Sequence, residues 1–390
     1  MRLASIKLRS LAIDIIVVLF CVAAWGAGYL YVGSTALTLI RLFTLFFATL
    51  LLFTRYQTRP TVYYATLLYF LLYTTVTLVM TFPYLNFAKA NGFFDFLLIG
   101  LFVFVLLSYV TIDTSRSLKL FYILCMVYVP AMCAMGLAEY VLDWHMPDSL
   151  VAAAPIRMSC GFSHNPNDYA VLVTLALLYL LSYRRVMVSA KHWWVDLLYI
   201  VMALAVSVLA ECRTALAADF LFVAFMFRKT IKKHWKIAVV ASIALVVAVV
   251  CLCWGDVSIQ CRFRLYGAAF VSLFDSYGLG FGIWGDQYYF LSQDDRDLFH
   301  GVTNAHSYLL QILLTSGIWI FLAYVALIAF IMRKMSYNGR NEFWILPVFY
   351  LFLLFAPSSS LFLWGQYLSF VFMVCYACHV ENEKKGTLCR

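Results

Sequence analysis

Charge is scarce in this sequence: Asp, Glu, Lys and Arg make up 12% of its 390 residues, against 65% that are apolar. So few charges cannot clothe a water-soluble surface, so lipid must be the solvent for most of the chain. The mean hydropathy of +0.89 agrees. Metal-spaced cysteine pairs are also lacking, apart from Cys375 and Cys378 inside an apolar stretch. No inverted internal repeat is visible, and the halves lack the paired broken helices of many transporter folds, which counts against transport. The first apolar stretch, Leu11 to Tyr31, lacks the small-residue cleavage pattern of a signal peptide and is expected to be a retained helix.

What is present is a series of apolar stretches of about 18–25 residues, the length that spans a bilayer as a helix. Spans are expected near 11–32, 36–54, 61–81, 93–112, 118–141, 165–183, 193–210, 214–227, 237–254, 305–331, 343–356 and 360–380. The expected fold is therefore all-α, a single integral membrane domain over 1–390 with about twelve transmembrane helices. Alternate connections are basic, among them Arg55/Arg59, Arg116/Lys119, Arg184/Arg185, Lys232/Lys233 and Arg333/Lys334. This asymmetry predicts both termini in the cytoplasm. The net charge of +9 thus reflects topology and membrane lipids as partners, and no nucleic acid is expected. Of the 11 cysteines, Cys160 and Cys261 fall on the outer side, where a bridge between them is an open expectation.

Two outer connections are long, Asp143–Asn165 and the large loop 255–303, and long loops in tightly wound bundles are usually functional. Within the largely apolar stretch 195–227 the one cluster of polar residues is Glu211-Cys212-Arg213-Thr214, so a turn is expected there. The outer and intramembrane cations are Arg41, Arg157, Arg213, Arg262, Arg264 and Arg296, with Lys89 the sole lysine. Guanidinium grips phosphate with a two-donor fork that ammonium lacks, so this set nominates a phosphate or diphosphate ligand. Arg262 and Arg264 alternate, and would point one way on a strand but not on a helix. His306 follows Asn304, a candidate N-cap, and is expected in the first turn of the next span. The helix dipole there would favour the neutral, proton-accepting imidazole. His164 precedes Asn165-Pro166-Asn167, which reads as turn and cap chemistry. Asp295-Arg296-Asp297 has a metal-nucleotide form but falls on the outer side, where nucleotide sugars are not expected. Trp284, Tyr288, Tyr289 and Phe290 suit stacking on sugars and suit the membrane interface equally.

Four of these segments resemble the bacterial O-antigen ligase and O-antigen polymerase superfamily. Cys160-Gly161-Phe162-Ser163-His164-Asn165-Pro166-Asn167 is similar to its Gly-x-Phe-x-x-Pro-Asn segment. Glu211-Cys212-Arg213-Thr214 is similar to its Ser-Arg-Ser/Thr turn, with cysteine for serine. Arg262 to Tyr266, then Gly278, Gly280 and Gly282, resemble its Arg-x-x-x-Trp and Gly-x-Gly-x-Gly run. His306-Ser307-Tyr308-Leu309 through Ser316-Gly317-Ile318 resembles its His-Asn-x-x-Leu helix. The likeness covers about residues 157–330, and the N-terminal spans match only in hydrophobicity.

The resemblance implies a fold akin to the C-type, lipid-sugar-dependent glycosyltransferases, with a large loop over the site and neither a metal nor a cofactor required. The expected activity is inverting glycosyl transfer from a polyprenyl (undecaprenyl) diphosphate-linked glycan, on the outer face of a bacterial cytoplasmic membrane. Arg213, Arg262 and Arg264 would hold the diphosphate, Arg262 being favoured over Arg264 by its spacing to Tyr266. His306 would orient or deprotonate the acceptor. His164, Asn165, Asn167, Tyr266 and Trp284 are candidates for binding acceptor or sugar. An acceptor that is another lipid-linked repeat makes the enzyme a polymerase of O-antigen, capsule or exopolysaccharide; lipid A core makes it a ligase. A chain-length regulator or a flippase are further partners of such an enzyme. The rival from another class is a flippase or transporter of the same lipid-linked glycan.

Overall fold

Hydrocarbon offers the backbone no water, so each apolar stretch must satisfy its own hydrogen bonds, which a helix does. The computed structural model describes residues 2–29, 35–53, 59–82, 90–145, 158–161, 163, 165–188, 193–226, 257–283, 307–335, 345–355 and 364–388. Those residues form twelve α-helices and no strand. They are α1 (Arg2–Tyr29), α2 (Thr35–Leu52), α3 (Thr61–Thr81), α4 (Ala90–Val110), α5 (Thr114–Leu142) and α6 (Pro166–Tyr183). After a short π turn at Arg184–Val188 come α7 (Trp193–Leu209), α8 (Arg213–Met226), α9 (Val257–Asp275), α10 (Tyr308–Met335), α11 (Ile345–Phe355) and α12 (Trp364–Leu388). Among the described residues, four helices are long and apolar enough to cross a membrane: Thr61–Thr81, Thr114–Leu142, Pro166–Val188 and Tyr308–Met335.

The chain is thus all-helical among the described residues, with the apolar helices of a membrane-embedded protein. Helices and expected spans do not match one to one. The span expected at 237–254 lies outside the described residues, while α9 occupies sequence expected to be loop. Large apolar side chains stand exposed along helix faces, Leu68, Leu71 and Val127 among them, as a lipid-facing exterior requires.

Helix ends follow local chemistry. Asp113 caps α5 by accepting from Arg116 N at 3.0 Å, and Asn165 caps α6 by accepting from Asn167 N at 2.9 Å, with Pro166 in the first turn. At one end of the bundle lie three ion pairs: Arg116 Nε with Asp14 at 2.8 Å, Arg184 Nε with Asp196 at 2.6 Å, and Lys334 Nζ with Glu381 at 3.5 Å. Thr114 with His379 at 3.2 Å, and Thr61 on Glu381 at 2.9 Å, add hydrogen bonds at the same end. This basic end lies opposite the end that carries the 143–165 and 276–307 connections, called here the loop end.

Candidate functional site at the loop end

Two constructions occupy the loop end. The first begins at Glu139, a buried carboxylate near the end of α5. Its Oε2 accepts from Cys160 N at 2.7 Å and Gly161 N at 2.6 Å, and its Oε1 lies 2.8 Å from His145 Nδ1. Charge-assisted bonds of this kind are roughly twice as strong as neutral ones. They hold the segment leading to the Asn165 cap against α5. Ser159 continues the attachment, donating from Oγ to Gly136 O at 2.8 Å and from N to Leu209 O at 2.9 Å. Leu209 ends α7, so the 158–161 segment is bonded to the turn that carries Cys212 and Arg213.

That turn forms where the sequence predicts it. Glu211 takes a left-handed conformation (φ 48°), and α8 starts at Arg213. Cys212 stands at the N-cap of α8, with the Thr214 and Ala215 N–H groups directed at its sulfur. This explains why the serine of the resembled turn can be a cysteine: both supply a capping acceptor. Burial pushes the Cys212 thiol up to about 11, against the pull of those N–H groups, so it stays protonated at neutral pH and is no nucleophile. Arg213 is exposed at the positive end of α8, where an anion is favoured. Asp168, in the first turn of α6, has one buried carboxylate oxygen without a hydrogen-bond partner among the described residues.

The second construction is a broken helix with a glycine strap docked into it. α10 departs from helical geometry at Gly317 (φ 78°, ψ −178°). A break in a span frees backbone groups that cost several kcal/mol each, by order of magnitude, if left unpaired in hydrocarbon. Residues 278–283 supply the missing partners. Phe281 N donates to Leu314 O at 2.7 Å, Gly282 N to Thr315 O at 2.9 Å, and Ile318 N to Gly278 O at 3.0 Å. Ile283 N donates to Thr81 Oγ1 at 2.8 Å, and Thr77 bonds Ser316 through their hydroxyls at 2.6 Å, so α3 closes the assembly. Gly278, Gly280 and Gly282 all have φ between 76° and 81°, a region closed to most side chains. A Cβ on Gly282 would lie 2.5 Å from Thr81 Cα.

Beneath the break, Tyr308 and Tyr324 of α10, Tyr69 and Tyr73 of α3 and Tyr367 of α12 form a fully buried aromatic cluster; Tyr69 and Tyr324 are 5.3 Å apart, and Tyr308 and Tyr367 5.8 Å. α11 and α12 stand between the two constructions: Ser307 Oγ reaches Leu354 O at 3.4 Å on one side, and Phe349 packs on Phe222 of α8 at 5.6 Å on the other.

Several predicted residues are not among those placed above. His164, Trp284 and His306 lie outside the described residues, as do Arg157, Arg296 and Lys89. α10 begins at Tyr308, with Gln311 N on Ser307 O at 2.8 Å. Arg262, Arg264 and Tyr266 lie on α9. The strand geometry that would point both arginines one way is therefore replaced by a helix, which sets residues two apart on different faces. Arg264 is exposed, Tyr266 half-buried, and the Arg262 side chain lies outside the described set. Within the region 255–303, residues 257–275 form α9 and residues 278–283 form the strap bonded to α10. Cys160 is buried beside Glu139, while the Cys261 side chain is not among those described.

Sequence reasoning overlooked Glu139 and Asp219, although each is the sole acid of a largely apolar helix. That rarity was the available signal. No group of three or more His, Cys, Asp or Glu residues suited to a metal occurs among the described residues. In comparisons with known proteins, no family model, curated protein or solved structure matches the chain.

Proposed function

We propose that the protein is a membrane glycosyltransferase of the kind its four motifs resemble, polymerising a surface polysaccharide from polyprenyl-diphosphate-linked repeats. One observation carries the reading: residues 158–161 are bonded to the end of α7 that leads into the Cys212–Arg213 turn, at the end of the bundle where the glycine strap docks into α10. Segments far apart in sequence thus share one end, as parts of a single site would. The same end is opposite the layer of basic connections, which supports an outer-face site with cytoplasmic termini in a bacterial inner membrane.

In this reading Arg213, with Arg262 or Arg264, holds the diphosphate and stabilises its charge as it leaves. The acceptor hydroxyl attacks the anomeric carbon, its new C–O bond forming as the bond to the diphosphate breaks. His306 takes the hydroxyl proton. The single displacement inverts the anomeric centre.

The test is transfer in vitro by purified protein with undecaprenyl-diphosphate oligosaccharide in EDTA, read on a gel. A ladder of lengthened lipid-linked chains supports the polymerase. A single shift that needs added lipid A core means a ligase. A second reading, a flippase, is favoured by the broken α10, since interrupted helices line the paths of many transporters. Movement of the lipid-linked glycan across vesicles with no transfer product would establish that reading instead.

A further inference from the structure

Away from the arginines, α6, α7 and α8 meet around a carboxylate that nothing above employs. Asp219 of α8 is fully buried. Ser207 of α7 donates to its Oδ2 at 2.8 Å. Thr174 of α6, also fully buried, lies beside the same carboxylate. Yet neither Asp219 Oδ1 nor Thr174 Oγ1 has a hydrogen-bond partner among the described residues.

No described Lys, Arg or His forms an ion pair with Asp219. The groups facing it from the packed elements are Thr174 from α6 and Ser207 from α7, with Asp168 and Cys212 further towards the loop end. A carboxylate inside a membrane bundle needs its charge cancelled, and intramembrane acids of this sort mark ion or proton sites.

We propose that Asp219, Ser207 and Thr174 form a binding site for a single Na+ ion at the α6–α7–α8 junction. The donor set is all oxygen, which suits a hard cation. One carboxylate balances one positive charge, whereas a divalent ion would leave a net charge buried in low dielectric. Asp219 Oδ1 and Thr174 Oγ1, both buried and neither engaged by another described group, supply two of the ligands. A tight junction of three helices selects for a small ion, because cavity size and ligand number set the choice among hard cations. The inference stands independently of the glycosyltransferase reading.

The test is thermal unfolding of the full-length protein in detergent, with NaCl titrated against KCl and choline chloride at constant ionic strength. A ligand that binds only the folded state raises the melting temperature with its concentration. Na+ is expected to raise it by a few degrees, in a saturating curve that K+ and choline do not reproduce. Asp219→Asn, which keeps the shape and removes the charge, should remain folded and lose the response. Thr174→Val should shift the curve to higher Na+. Radiolabelled Na+ should bind wild type near one per chain and fail to bind Asp219→Asn. Equal responses to all three cations, or a response that follows pH and ignores Na+, would overturn the site; the second outcome would mean that a proton neutralises Asp219.

Discussion

Gly280 and Gly317 meet backbone to backbone: a Cβ on Gly280 would sit 2.7 Å from Gly317 N, and one on Gly317 would strike the Gly278 carbonyl oxygen. This contact lets a strap from the large loop serve as the hydrogen-bond partner of a broken helix. Gly280→Ala and Gly282→Ala should each destabilise the protein by about 1–3 kcal/mol from backbone conformation alone, with more from the clash. Gly267→Ala is the control, because a Cβ there meets nothing within 4 Å and the residue lies inside a helix. It should stabilise by about 0.5–1 kcal/mol. Denaturation midpoints of the three variants check the contrast.

Glu139 predicts a separable effect. Glu139→Ala leaves the Cys160 and Gly161 N–H groups without their acceptor, at a cost of about 1–3 kcal/mol. Hydrogen exchange should rise in residues 159–161 and at the α6 N-terminus while the strap at 278–283 stays protected. Equal loosening of both would mean that Glu139 supports the whole bundle and not one segment.

Cys212 offers a cap test. A hydroxyl accepts more strongly than a thiol, so Cys212→Ser should hold or raise the melting temperature, whereas Cys212→Val should cost about 1 kcal/mol. Thiol-blocking reagents should leave transfer activity intact at neutral pH, as expected of a buried, protonated thiol.

At the basic end, Glu381 sets an acid limit. Burial raises its carboxyl pKa, but the Thr61 backbone N–H, the Thr61 hydroxyl and Lys334 together outweigh it and hold the group below its usual range. A depressed carboxyl contributes stability that is present above its unfolded pKa and is lost as pH falls through the folded one. Melting temperature should therefore decline on acidification below about pH 4.5. Glu381→Gln should flatten that decline and lower stability at neutral pH. A wild-type profile identical to that of Glu381→Gln would contradict the assignment.

Much of this architecture is legible in the residues. Apolar length and basic connections announce the helices and the two ends of the bundle, because hydrocarbon leaves the backbone few choices. The turn at Glu211–Arg213 follows from polar residues inside an apolar run, and the cap at Asn165 from Asn-Pro chemistry. The helix at Val257–Asp275 is harder to read, since Gln260, Arg262 and Arg264 interrupt its first two turns and no long apolar run marks it. The role of the glycine run is hidden too. Three glycines at alternate positions announce an unusual backbone, but their partners, Leu314, Thr315 and Thr81, are remote in sequence. Glu139 escapes notice for the same reason, its N–H ligands lying 21 and 22 positions away.

A grip on the diphosphate leaving group by arginine forks is tested most directly by the initial rate of glycan transfer by Arg213→Lys and Arg262→Lys beside wild type. Lysine keeps the charge and loses the fork. At least one of the two should slow by about 100-fold, the usual cost of losing a donor to developing charge, with its melting temperature unchanged. Rates within twofold of wild type for both lysine variants, and for Arg213→Ala and Arg262→Ala as well, would contradict it.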